Sequence, residues 1–387
     1  MSDSHSWSGQ WPPPQGSSPE GTSAVIERRG ARHTRRFWRP WTGLAIGIAL
    51  AMALAVLAAV VPLPYAVLQP GPATDVLATH DDGQGQQVPR IVIDGATTFP
   101  TSGSLEFTTV RVQGGPGFPV NAWDLLAAWL SPAQDVYPVE ELFPPAATKE
   151  QVAEENKAEM AGSQQEAAAV ALRALGKDVP QVVVIRQVVK GAPSEGELKA
   201  GDVIVSIGGA QADDSTAIRA AIQAVTPGDT VEVVVERSGA QLSTHPKTAK
   251  ADDGRTVLGI VLGVDYRLPF TVKIDAGNVG GPSAGLMFSL GIYDKLTDGA
   301  LTGGQVIAGT GTIDDSGAVG PIGGIAQKMV GARQSGATFF LTPEGNCQDV
   351  VGRVPAGLQI VKVASFEDAR TAVTAIGLGD TAQLPHC

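Results

Sequence analysis

The chain has 387 residues, 43% apolar and 17% charged, which leaves room for two or three folded domains. A net charge of -11 argues against nucleic acid as the main partner, because that partner selects a basic surface, and it reads more simply as solubility. Two cysteines with no CxxC and no Cys/His cluster offer no zinc site; Cys347 and Cys387 either pair as a disulfide outside the cytoplasm or stay as two thiols.

Residues 1–27 are rich in Ser, Gly and Pro without periodicity, the pattern of a disordered segment. Six arginines follow within twelve residues (Arg28, Arg29, Arg32, Arg35, Arg36 and Arg39), so residues 1–41 read as a basic tail. Thr42–Val61 then runs for 20 residues without a charge, enough for a helix to cross about 30 Å of hydrocarbon. Arginines on its N-terminal side put the N-terminus in the cytoplasm. A cleaved signal peptide would have a shorter apolar core, about 7–15 residues, and a small-residue cleavage site. The expectation is therefore an uncleaved anchor over 42–61, with everything after Pro62 outside the cytoplasm.

Residues 62–148 form a connecting region. Pro62-Leu63-Pro64 and Pro70-Gly71-Pro72 predict a stiff exit from the membrane. Strand-like runs follow at Arg90–Ile93 and Leu105–Val112. Lys149–Leu175 turns helical and rich in Ala, Glu and Gln, with Gly176 as its C-terminal cap and its acidic residues on a solvated face, so 149–180 reads as a helical connector.

A compact unit is expected over 181–240. Its strands are Val182–Ile185, Val188-Val189 and Thr230–Arg237, Gly201–Gly209 is strand and turn, and Ser215–Ala224 is an amphipathic helix with Ser215 as N-cap. Gly191-Ala192-Pro193, Leu198-Lys199-Ala200-Gly201-Asp202-Val203-Ile204 and Pro227-Gly228-Asp229 resemble a PDZ domain of the bacterial periplasmic-protease type. The resemblance implies a groove beside the 215–224 helix where an extended peptide adds as a strand. No clear carboxylate-binding loop stands out.

Further on, Phe270–Asp275 alternates like a strand, and Gly280-Gly281-Pro282-Ser283-Ala284-Gly285 leads into a helical pattern to Leu296. A serine at a helix start after two glycines lets the backbone approach a substrate. The N–H groups of Gly280, Gly281 and Ser283 and the positive helix end suit a developing oxyanion. Forty-five positions on, Lys328 shares the apolar stripe Ile325, Lys328, Met329 and Ala332 of a helix over 325–335, with Gln327, Gly331 and Gln334 outside it. Burial lowers a lysine's pKa, so its neutral amine is able to take the serine proton, which makes a Ser-Lys dyad.

Gly280–Gly285 and Pro321-Ile322-Gly323-Gly324-Ile325-Ala326-Gln327-Lys328 together resemble the proteolytic domain of Lon-type proteases, the Ser-Lys peptidase family, over residues 254–375. The resemblance implies Ser283 as nucleophile, Lys328 as general base and Thr310, in Gly309-Thr310-Gly311-Thr312, as support for the lysine. The family's glutamate is replaced here by Thr312. No G-x-x-x-x-G-K-[ST] is present; the one Gly-Lys, Gly176-Lys177, is followed by Asp178, so no nucleotide is expected, nor any metal or other cofactor. The arrangement looks like the PDZ-containing, membrane-anchored Lon-like proteases of Gram-positive bacteria. It implies an α/β (α+β) Lon-type proteolytic domain plus a PDZ-like β-rich domain, with one N-terminal transmembrane helix and a short tail over 376–387. The expected function is ATP-independent endopeptidase action on extracytoplasmic proteins or peptides. The strands near 105–112 are expected to complete the protease sheet, with the PDZ unit inserted, and the family resemblance implies a homo-oligomeric ring.

Two other classes compete. Gly281-Pro282-Ser283-Ala284-Gly285 also satisfies the esterase elbow G-x-S-x-G, but only His386 of the five histidines follows the serine. The non-enzymatic alternative is a membrane-tethered PDZ adaptor with an inactive protease-like half.

Overall fold

A computed structural model describes residues 39–387 apart from 82 and 213. The basic tail expected over 1–41 lies outside the described residues as far as residue 38. The chain divides into two units, Met1–Val56 and Leu57–Cys387. The first holds most of α1 (Arg39–Val60), in which the 20-residue stretch Trp41–Val60 has the length and composition of a membrane span or a signal sequence.

The second unit opens with β1 (Tyr65–Asp75), β2 (Ile91–Asp94) and β3 (Ser104–Gln113), then α2 (Ala122–Trp129), β4 (Asp135–Pro138) and the long helix α3 (Lys149–Ala174). α3 starts at a capping box between Thr148 and Gln151 and stops at Gly176, whose φ of 73° suits glycine. Next come β5 (Gln181–Val188), β6 (Val203–Ile207), α4 (Ser215–Gln223), β7 (Val233–Arg237), β8 (Ala240–Thr244) and β9 (Ile260–Tyr266). These strands form one sheet in the order β8-β7-β6-β5-β9, closed by α4 over a core that includes Ile185, Ile207, Ile218 and Leu258. β9 falls within the stretch that the sequence assigns to the following domain, but it pairs antiparallel with β5. The helix cap differs as well. Asp214, not Ser215, is the N-cap of α4, its carboxylate accepting from the Thr216 and Ala217 N–H groups.

The chain ends with β10 (Thr271–Ile274), α5 (Gly285–Leu296), β11 (Val306–Gly309), α6 (Ile325–Ser335), β12 (Phe339–Pro343), β13 (Gln359–Val363) and α7 (Phe366–Leu378). β10 pairs with β2. The main sheet runs β13-β12-β11-β3-β1-β4, so strands from before and after the PDZ-like sheet share one layer. β3, β11, β12 and β13 run parallel; β11 and β12 are mostly apolar and buried, as strands covered on both faces are, whereas β3 mixes Leu105 and Phe107 with Glu106, Thr108 and Thr109. One face packs on α5 and α7 through Phe107, Leu286, Met287, Phe288, Leu341 and Phe366. The Phe107 and Phe288 rings meet at 5.4 Å, and burying each contributes on the order of 2–3 kcal/mol.

Two further expectations are corrected here. Pro70-Gly71-Pro72, expected as part of a stiff exit from the membrane, is an irregularity inside β1, where the register with β3 shifts between Pro70 and Ala73. Proline is tolerated within a sheet at such bulges because it lacks the ladder donor. The second correction concerns α6, which is buried nearly all round: Gln327 and Gly331 are as enclosed as Ile325 and Met329. A Cβ on Gly331 would collide with the Gly71 carbonyl oxygen, so β1 closes the side of α6 that the sequence leaves open to solvent.

Candidate active site

Ser283 sits between β10 and α5 and is half-buried. Ala284 is the N-cap of α5 and makes no side-chain cap bond, so the Ser283 hydroxyl is not spent on capping. It faces Lys328 of α6, whose Nζ lies 2.8 Å from Ser283 Oγ and donates to Thr310 Oγ1 at 2.9 Å. Lys328 is only 2% exposed and Thr310 is fully buried. Burial alone pulls the Lys328 amine from the ordinary 10.5 down to about 7.

Thr310 fixes the geometry from both sides. Its hydroxyl donates to the Ser283 carbonyl at 3.0 Å while accepting from Lys328. The Gly311 N–H also donates to the Ser283 carbonyl, at 2.9 Å. With one amine hydrogen on Thr310, the lone pair of a neutral Lys328 is free to accept the Ser283 hydroxyl proton. Sequence separations of 27 and 45 residues thus close into one cluster of three side chains.

The loop before Ser283 is strapped to α3. The Gly281 N–H donates to the Asn156 carbonyl at 2.9 Å, and the Ser163 hydroxyl donates to the Pro282 carbonyl at 2.9 Å. Gly280 lies so close that a Cβ there would sit 2.6 Å from Asn156 Cβ. The expected trio of oxyanion donors is therefore reduced in this arrangement: Gly281 is engaged by α3. The Gly280 and Ser283 N–H groups donate no hydrogen bond among the described residues.

Other residues tie this site to the fold without any local sequence signal. Gln327 Nε2 donates to Asp135 of β4 at 2.9 Å, and Asp135 also accepts from Arg353 at 2.8 Å, which fixes the turn of α6 that carries Lys328. A cavity of about 630 Å³ opens between β1, β3 and the first turns of α3. It is lined by Leu68, Val110, Phe118, Phe143 and Val152 and reaches Asn156 and Gly323, next to the two segments that bear Ser283 and Lys328. Cys347 and Cys387 are disulfide-bonded, tying the tail to the body. Leu384 is buried, and the Lys362 N–H donates to the Pro385 carbonyl at 2.9 Å, so the tail lies along β13.

The profile of the Lon protease (S16) C-terminal proteolytic domain matches residues 270–373, and that of a PDZ domain matches residues 156–248. Lon protease 2 of Bacillus subtilis is 31% identical over 105 residues, covering 27% of this chain and 18% of its own length. Lon protease of Clostridium beijerinckii is 33% identical over 112 residues, covering 28% of this chain and 14% of its own length. A solved structure, the PDZ domain of an SdrC-like protein from Listeria monocytogenes, is 26% identical, with 21% of this chain and 85% of that one covered at a TM-score of 0.20. The chain spans less than a fifth of the length of these curated relatives. One polypeptide thus carries a region that matches the Lon-type proteolytic domain and a region that matches a PDZ domain, and over about a quarter of its length it is similar to Lon proteases.

Proposed function

We propose that this protein is an ATP-independent serine endopeptidase, held at the membrane by α1, that cleaves extracytoplasmic proteins or peptides with a Ser283–Lys328 dyad. The carrying observation is a buried amine, shifted to about 7, set 2.8 Å from a serine hydroxyl that caps no helix. Lys328 takes the Ser283 proton as Oγ attacks the peptide carbonyl, then gives that proton to the departing amine. A water follows the same route in reverse to release the acyl group. Thr310 keeps the amine aimed, and the N–H groups of Gly280 and Ser283 serve the oxyanion, each worth roughly 3–4 kcal/mol where such donors have been removed.

The arginines before α1 support an N-terminus in the cytoplasm, and the disulfide supports an oxidising compartment for the catalytic unit. The sequence carries no Walker-type loop, which supports the ATP-independent reading and substrates that are unfolded or flexible chains. In our reading the PDZ domain is inserted in the protease domain and presents or regulates substrate.

The test is to assay Ser283→Ala and Lys328→Ala on a casein-like substrate and to trap the wild type with a fluorophosphonate. We expect cleavage to vanish in both variants, with unfolding temperatures retained and the label mapped to Ser283. Cleavage at the wild-type rate by both variants would leave the adaptor reading in its place.

A further inference from the structure

α2 is a firmly seated helix with an apolar outer face. Asn121 and Asp124 close a capping box at its start, and Leu125 and Ala128 pack on Val67 and Val120 behind it. Its other side shows Trp129 at 81% exposure, Leu130 at 70%, Trp123 at 49% and Leu126 at 44%. Phe118, just ahead of the helix, is 54% exposed. Exposed apolar clusters of this kind mark contact surfaces rather than incomplete cores.

Chain connectivity says what lies nearby. α1 ends at Val60, and the Leu63 N–H donates to the Val120 carbonyl at 2.9 Å, two residues before α2 begins. Even a fully extended chain across these steps keeps the start of α2 within roughly 25 Å of the end of α1. Tryptophan, with an apolar body and one polar N–H, prefers the boundary between headgroups and acyl chains. From Gly114 to Gln134 the single charge is Asp124, and its carboxylate is turned into the cap, accepting from the Asn121 N–H. Such a face is drawn to lipid by apolar burial and not by headgroup charge.

We infer that α2 lies in the outer leaflet of the membrane that α1 crosses, with Trp123, Leu126, Trp129 and Leu130 at the headgroup–acyl boundary. This rests on the reading of α1 as an anchor. The seat sets the height of the catalytic cluster, because α2 leads directly into β4, whose Asp135 holds Gln327 beside Lys328. The protease would then act on chains close to the membrane surface.

The experiment uses the full chain in phosphatidylcholine nanodiscs, with nitroxide labels placed one at a time by Gly47→Cys, Trp129→Cys and Ala240→Cys. The native cysteines are paired and do not label. Collisions with oxygen and with a water-soluble nickel chelate are compared. We expect nickel accessibility at position 129 to fall several-fold below that at the exposed Ala240 of β8, with no change when phosphatidylserine is added. A deep label at 47 with a water-exposed label at 129 overturns the seat and leaves the anchor. A water-exposed label at 47 overturns both. Dipolar broadening at 129 that grows with the number of copies per disc assigns the face to a second copy and also overturns the proposal.

Discussion

Lys328 concentrates the energetics of the site in one amine. Its folded value of about 7 lies below the ordinary 10.5, so between those pH values the unfolded chain holds one proton more than the folded one. Stability therefore rises with pH across that window, and below about pH 7 the folded state carries the full cost of burying the charge. Lys328→Met keeps a side chain of similar volume and removes that cost. At pH 6 the variant is expected to unfold at a higher temperature than wild type, with the gap closing toward pH 10, while cleavage is lost. In the wild type, fluorophosphonate labelling of Ser283 should rise with an apparent pKa near 7. A variant less stable than wild type at pH 6, or labelling flat from pH 5 to 9, would show that the amine is not held in this state. The place of Lys328 in this cluster was legible because it interrupts an apolar stripe, and that of Ser283 because glycines frame it. The loss of Gly281 as a free donor was not, since its partner Asn156 lies 125 positions earlier on a helix whose outer face is polar and exposed.

Among the elements, α6 depends on close approach to β1. The bulge at Pro70–Ala73 brings the Gly71 carbonyl against Gly331, where no side chain fits. Gly331→Ala must push the helix outward, and Lys328 is on that helix one turn earlier. We expect a stability loss of about 1–3 kcal/mol from overpacking and a fall in kcat on the order of 100-fold from misplacing the amine. Gly323→Ala is the control, because a Cβ there meets nothing within 4 Å. Peptide hydrolysis and thermal unfolding read both effects, and equal kcat for the two variants would uncouple the bulge from the site. Helix bounds are legible where caps and periodicity agree, as in 325–335 and 149–174. What periodicity misses is enclosure from a second side. Gln327 and Gly331 fall off the apolar stripe, yet they face β4 and β1 through one hydrogen bond and one bare glycine, and neither contact leaves a hydrophobic trace.

At the scale of the whole molecule, the main sheet beside the candidate site is assembled from chain segments on both sides of the PDZ-like sheet. Leu105 and Phe107 of β3 pair with Ile307 and Gly309 of β11, and Phe107 packs on Phe288, five residues after Ser283. α3 holds the loop before Ser283 through Asn156 and Ser163. Residues 250–387 alone would leave β11 with an open apolar edge and Ser283 without its strap. The points where the chain enters and leaves the PDZ-like sheet nevertheless touch, since the Arg267 N–H donates to the Pro180 carbonyl at 3.0 Å. Adjacent ends are what allow a compact unit to be inserted or removed with little effect on its host. Replacing residues 181–266 with a short Gly-Ser linker should therefore keep a folded protein whose Ser283 still reacts with a fluorophosphonate, whereas the 250–387 fragment should not react. The opposite pattern, an active fragment or an unreactive excision variant that stays folded, would mean that the dyad is set by the later segment alone or needs the PDZ domain to form. Either result would break the link from β3 and α3 to Ser283 on which the inserted arrangement rests.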